Sequence, residues 1–417
     1  MFSGIFGGKK NKTELAIVFD IGSASIGGAL VNLSYGKKPL VLYTTRKDIA
    51  FASEVEPNRL LASMKRTLKE TALDIQKKGL RRINFRSISG KEIQAIYCTF
   101  SAPWYLAQPK QLMNKYKETK NIDSKFVEEL LRQEEVAFLE EAMKEYSKKD
   151  KEDLHLLENI LTNIKIDGYD IKKLNDQKTK DLELSIFSTM IPSQVADITI
   201  DTISAIFHTK NLHMHSFALV SFGVVRDILN KNNFLLLDIT GEVTEVNVIY
   251  EGKLVESGTF PFGINTFVRK LIYALNTNKE EVLSILSMRG EEAQSILVFG
   301  ENEKKTLEEV EDGWCKEFVS LINDFSNSHA IPSNIVFVTD AQYTSFFKHM
   351  FTTKKHIINA ISYGFIPNIT VLNQNFMEPY VNIAKNTKED PFLAIESVFF
   401  NTSHKNHDKE ELATFHN

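Results

Sequence analysis

Cysteine is nearly absent from this 417-residue sequence. Cys98 and Cys315 stand far apart and in no paired motif, which excludes a disulfide framework and a thiolate metal site. A reducing, cytoplasmic setting fits that usage. A surplus of one charge sign is also lacking, since 50 Lys and Arg face 54 Asp and Glu for a formal charge of −4. That balance offers no general attraction to nucleic acid or to an anionic membrane. No apolar run approaches the length of a membrane span. The opening MFSGIFGGKKNK has too short an apolar part for a secretory signal. Its Phe2, Ile5 and Phe6, followed by Lys9, Lys10 and Lys12, allow peripheral membrane contact at most. The same stretch falls short of a P-loop: Ser3 replaces the first glycine, Lys10 stands where Ser or Thr belongs, and no strand precedes it.

What the sequence does hold is a globular composition, 43% hydrophobic and 25% charged, over a length that calls for two or more domains. Near its start, AIVFDIGSASIGGALV places Asp20 at the end of an apolar run, then a turn of Gly22, Ser23, Ala24 and Ser25, then a second apolar run. Gly22 permits a tight turn and close approach of a ligand to the backbone, and successive N–H groups in such a turn form an anion-binding concavity. A carboxylate at Asp20 would face a bound phosphate and needs a cation between them. The pattern returns about 218 positions later as FLLLDITGEVTEVNVIY, with Asp238 ending the strand and Thr240, Gly241 and Glu242 in the turn. A motif repeated at that distance implies two related lobes rather than a short-period solenoid. Two anion-binding hairpins facing one cleft have the geometry to hold a polyphosphate and its cation.

Together DIGSAS, DITGEVTE and the later GTFPFGINTFVRKLI resemble the two phosphate motifs of the actin-like ATPases, and within them the FtsA/PilM family most. The apolar, lysine-rich start resembles that of PilM. LELSIFSTMIPSQVADITIDTISAIFHTKNL resembles the strand, helix and turn by which the family's inserted domain rejoins the first lobe. IVFVTDAQYTSFFKHM stands in the place of the adenosine-contacting strand, turn and helix. The resemblance implies an α/β fold of two ribonuclease H-like, actin-like lobes with a small inserted α+β domain. It implies ATP and Mg²⁺ as cofactors, with Asp20 and Asp238 as metal-facing and catalytic carboxylates and Glu242 as a third catalytic candidate. Nucleotide contacts would come from Gly22, Ser23, Ala24, Ser25, Thr240, Gly241, Thr244, Gly263, Thr339, Asp340 and Ala341.

Domain limits are expected as follows: a tail at 1–14, the first lobe at 15–86, the insert at 87–190, and the first lobe again at 191–230. The second lobe would span 231–370, with helices over 265–325 and the adenosine motif over 335–350, before a return to the first lobe at 371–404 and a tail at 405–417. The charged block 110–156 reads as one or two solvent-facing amphipathic helices through Phe126, Leu130, Leu131, Val136 and Leu139. His213 and His215 read as surface residues alternating on a strand. The second motif departs from the family, since Thr240 and Glu242 replace glycines, and Asp340 and Ala341 replace the pair that passes flat against the base. Leu283 and Leu286 stand where a ribose-contacting Glu and Lys are common. The C-terminal HDKEELATFHN lacks the apolar face of the membrane helix that usually ends FtsA, which favours the PilM side.

The resemblance therefore implies an adaptor or scaffold at the inner face of the cytoplasmic membrane, in pilus assembly or cell division. It would bind a short peptide from a PilN-like or FtsZ-like partner and self-associate under nucleotide control. Two alternatives stay open: a hydrolysing actin-like ATPase or sugar-kinase relative, and a RuvC-type nuclease with Asp20 in a two-metal centre. Against the nuclease stand the second hairpin and the acidic charge balance.

Overall fold

A computed structural model describes residues 13–34, 36–82, 92–146, 153–171, 177–229, 231–290 and 300–403. The expected tails at 1–14 and 405–417, with the membrane contact assigned to the first, lie almost wholly outside these residues. Among these residues, fifteen strands form three sheets. The first sheet takes β1 (Thr13–Ile21), β2 (Ser25–Ser34), β3 (Leu40–Asp48), β4 (Ala95–Phe100), β9 (Leu212–Ser216) and β15 (Asn382–Ile383). The inserted sheet takes β5 (Leu106–Ile122), β6 (Leu154–Ile166), β7 (Tyr169–Asp170) and β8 (Gln177–Pro192). The second lobe takes β10 (Phe234–Ile239), β11 (Thr244–Tyr250), β12 (Lys253–Phe260), β13 (Asn334–Val338) and β14 (Asn368–Val371).

The repeat seen in the sequence is a repeat of topology. The first sheet runs β15-β3-β2-β1-β4-β9 and the second β12-β11-β10-β13-β14. In each, an antiparallel hairpin (β1 with β2, β10 with β11) is continued by a parallel neighbour (β4, β13) and a further parallel strand (β9, β14). The central strands are covered on both faces, so AIVFDI and FLLLDI read as continuous apolar runs rather than alternations. Two cores flank the second sheet: Phe234, Leu236, Val336 and Val338 join one face to the first lobe's core, and the other face builds a second core. In the second, Trp314 is fully buried and stacks on Phe318 at 5.2 Å between ring centroids. The long helix Glu301–Ser326 presents both to the sheet.

Two expectations are corrected here. Ala95–Phe100, placed by sequence in the insert, pairs with β1 in the first sheet, and all six residues are buried. The insert's sheet therefore begins at Leu106. The block from Lys110 is not helical throughout. Residues 110–122 belong to β5, where Lys110, Leu112, Asn114 and Tyr116 turn inward and Gln111, Met113, Lys115 and Lys117 are exposed. That is period-two alternation hidden by dense charge. The helix is Ser124–Tyr146, and Val136 lies on its outer face at 52% exposure.

The insert is anchored on the first lobe by a buried carboxylate. Glu158 of β6 accepts hydrogen bonds from the Ser216 amide and hydroxyl at 3.1 and 2.6 Å and from Thr189 at 2.8 Å. His215 Nδ1 lies 3.1 Å from the same group, so His215 is a buried joint residue rather than a surface one.

Candidate functional site

The two repeated hairpins meet tip to tip. The Gly22 amide donates to the Ser25 carbonyl at 3.1 Å, closing the first turn. Ser23 then reaches across, and its hydroxyl oxygen accepts from the Glu242 amide at 2.9 Å. Gly241 has a φ of +24°, and a Cβ placed there would lie 1.9 Å from Ser23 Oγ and 2.8 Å from the Ala24 nitrogen. Only glycine permits the turns to approach this closely. Gly263 closes the second turn from behind: its amide donates to the Glu242 carbonyl at 3.0 Å and the Asn265 amide to the Gly241 carbonyl at 2.9 Å. Trp104, for which the sequence offered no role, donates its indole N–H to the Gly22 carbonyl at 3.0 Å and fixes the first turn.

Beside the turns lies a narrow crevice lined by Asp20, Gly22, Ala24, Ser25, Thr240 and Asp340, together with Arg46, Ser101 and Phe392. Arg46 organises it. Its guanidinium donates to Asp20 Oδ2 at 2.7 Å, to Ser25 Oγ at 2.9 Å, and to both oxygens of Asp390 at 2.7 and 2.9 Å. Its flat face lies 5.2 Å from the centroid of Phe392. Asp390 also caps the C-terminal helix Pro391–Ser403, its carboxylate accepting from the Leu393 amide at 3.2 Å, with Pro391 at the first helical position. A planar fork with fixed donors suits this three-way bridge.

The remaining charges are carboxyls. Burial raises Asp20 to about 6, against the pull of Arg46 and with Asp390 adding to the rise. Burial lifts Asp238 well above the carboxylate range, helped by the charge of Glu245 and opposed by hydrogen bonds from Ser101 and Thr240. Glu245 is raised to about 7 by burial while Tyr105 donates its hydroxyl to both carboxylate oxygens at 2.7 Å. Asp340 is raised by burial, and Glu396 by burial and the nearby Asp20.

Apart from Asp238, which is buried on β10 opposite Glu245 and does not line the crevice, the sequence-derived candidates divide into three sets. Asp20, Gly22, Ala24, Ser25, Thr240 and Asp340 share the crevice, and Ala341 lines the neighbouring cavity with Lys388 and Asp390. Ser23, Gly241, Glu242 and Gly263 form the turn-to-turn joint. Thr244 and Thr339 face elsewhere: Thr244 donates to the Phe262 carbonyl at 2.9 Å and accepts from Trp314 at 3.2 Å, while Thr339 donates to the Ile239 carbonyl at 2.7 Å. Glu242 is held by Arg269 at 2.5 and 3.2 Å and by Asn265 at 2.8 Å, an arrangement that secures the carboxylate rather than offering it to water. Leu286 is fully buried in the second core and Leu283 packs against it. Among the described residues, no group of three or more His, Cys, Asp and Glu side chains is arranged to hold a metal ion.

Arg46, Ser101, Trp104, Arg269, Asp390 and Glu396 were not found from sequence. One signal for Arg46 was present: it pairs in register with Gly27, where a Cβ would lie 2.6 Å from its Nη2. The glycine after DIGSASI makes room for the guanidinium.

No family model and no curated protein sequence matches the chain. Solved structures do. A chain of the PilM–PilN type IV pilus biogenesis complex superposes with a TM-score of 0.57 at 11% identity, over 94% of this chain and 98% of that one. The fold is that of the actin-like ATPases. Two further matches have lower scores. A Bacteroides thetaiotaomicron protein with an actin-like ATPase fold and unknown function gives 0.42 at 8% identity, over 95% and 99% of the two chains. The ethanolamine utilization protein EutJ from Carboxydothermus hydrogenoformans gives 0.40 at 11% identity, over 93% and 89%.

Tested against an ATP–Mg²⁺ ligand, the residues of this crevice do not fit. The space where phosphates would separate the hairpins is taken by the Ser23–Glu242 hydrogen bond and the packing of Gly241 on Ser23. Asp20, which would face a metal, is already paired with Arg46. Among the described residues no helix is long and apolar enough to cross a membrane.

Proposed function

We propose that this protein is an adaptor of the PilM type, a two-lobed scaffold that receives a short peptide from a PilN-like membrane protein at the inner face of the membrane during type IV pilus assembly. The observation that carries the reading is architectural. One chain of a PilM–PilN complex follows this one through both lobes and the insert, over nearly the full length of each. The state of the crevice supports a scaffold over a turnover enzyme, because the hairpins spend their turns on each other and Glu242 is committed to Arg269. In this reading ATP and Mg²⁺ are vestigial, and assembly depends on the partner.

The test is titration of the full chain with labelled peptides from the cytoplasmic tail of a PilN-like protein, read by fluorescence anisotropy. Saturable binding that survives removal of nucleotide and Mg²⁺ is expected. Absence of binding, together with steady phosphate release from ATP above the protein-free background, would replace the adaptor with an ATPase.

A further inference from the structure

We infer that lobe closure in this chain is built from its own side chains and is independent of nucleotide: Arg46 takes the place of the cation, and the Ser23–Glu242 joint takes the place of the phosphates. The inference deepens the adaptor reading and rests on it only for the scaffold role. It starts from the contacts across the crevice. Ser23 of the first lobe is bonded to the Glu242 amide of the second, and the buried Tyr105 hydroxyl is bonded to Glu245 at 2.7 Å. On the far side of the turns, Phe51 leaves the first lobe after β3 and packs against the second core. Its ring centroid lies 5.9 Å from the Arg269 guanidinium and 5.1 Å from Lys279 Nζ. Cation–π contacts and burial of an aromatic ring hold that anchor in place.

Charge argues the same way. Of the described residues lining the crevice, Arg46 alone is cationic, and Asp20, Asp390 and Ser25 already take its donors. Asp238 and Glu396 are buried around it and Asp340 is half-buried. A triphosphate entering here would meet, among the described residues, no free guanidinium and a set of buried carboxyls that offer it no compensating positive charge. To enter, it would also have to break the Ser23–Glu242 bond and lift Gly241 off Ser23. The conformational switch of the fold is thus fixed on one side, which suits a scaffold whose partner surface must always be formed.

Hydrogen–deuterium exchange of the full chain tests this, with and without millimolar ATP and Mg²⁺. The amides of residues 22–25 and 240–244 are expected to exchange at the same rate in both conditions, and the thermal midpoint to stay fixed. In Arg46→Ala, exchange in both turns should rise about tenfold or more, because one change leaves two buried carboxylates unpaired. Should that variant fail to fold, Ser23→Ala removes only the inter-turn bond and should raise exchange at Glu242 alone. Nucleotide-dependent protection of the two turns in the unmodified chain would overturn the inference, as would turns unaffected by both substitutions. Loss of peptide binding with unchanged exchange would instead remove the adaptor reading and leave built-in closure standing.

Discussion

Glu245 offers the sharpest quantitative check of how the lobes are joined. It is fully buried on β11, it receives the Tyr105 hydroxyl on both oxygens, and burial moves its carboxyl from 4.5 to about 7. A folded-state pKa above the unfolded one means that the folded chain binds the proton more tightly. The stability this group contributes is therefore complete below pH 4.5 and is lost as pH rises through about 7. At 1.36 kcal/mol per pKa unit, the loss across that window is about 3 kcal/mol. Glu245→Gln keeps an acceptor for Tyr105 and carries no charge, so it should remove this loss. It also lowers the cost of ionising Asp238, whose rise is caused by burial first and by the Glu245 charge second. Urea denaturation of both proteins at pH 5 and pH 8 measures the effect. The gap between variant and parent should widen by about 2–3 kcal/mol in the variant's favour from pH 5 to pH 8. Parallel loss of stability in the two proteins would show that Glu245 is not confined as described.

Three other substitutions probe the joints separately. Gly241→Ala places a methyl 1.9 Å from Ser23 Oγ on a residue with positive φ, and should lower the denaturation midpoint by the equivalent of about 2 kcal/mol and raise the radius of gyration seen by small-angle scattering. Arg269→Ala strands the buried Glu242, a loss of roughly 3 kcal/mol in a chemical melt, whereas the double variant with Glu242→Gln should recover much of it. Trp314→Ala empties the centre of the second core and should cost about 3–5 kcal/mol in the same melt while leaving exchange in the inserted sheet unchanged.

Much of the fold was legible because its decisive signals are local. A strand ending in Asp-Ile, a small-residue turn and a second strand lie within about twenty residues, and their recurrence announced the second lobe. Asp390-Pro391 has the form of a capped helix start by the same local logic, and the helix Pro391–Ser403 follows it. The site was less legible because its closing contacts join distant segments. Arg46 comes from the third strand and Asp390 from a helix cap 344 positions later; the sequence records their meeting only through Gly27, whose missing side chain leaves the space. Glu242 looked like a catalytic candidate because Arg269, 27 residues further on, could not be placed beside it. The strand at 110–122 was hidden by charge density, which masks a period of two on a half-exposed sheet. Trp104 and Trp314 look alike in sequence, yet one pins a turn and the other fills a core.

The two glycine-bearing turns bond to each other and leave no gap between them for phosphates. A crystal structure of the chain grown with a non-hydrolysable ATP analogue and Mg²⁺ tests it directly. Ser23 Oγ is expected to stay near 2.9 Å from the Glu242 amide, with Arg46 still on Asp20 at about 2.7 Å. Analogue phosphates lying between Ser23 and Gly241, with Arg46 swung off Asp20, would contradict it.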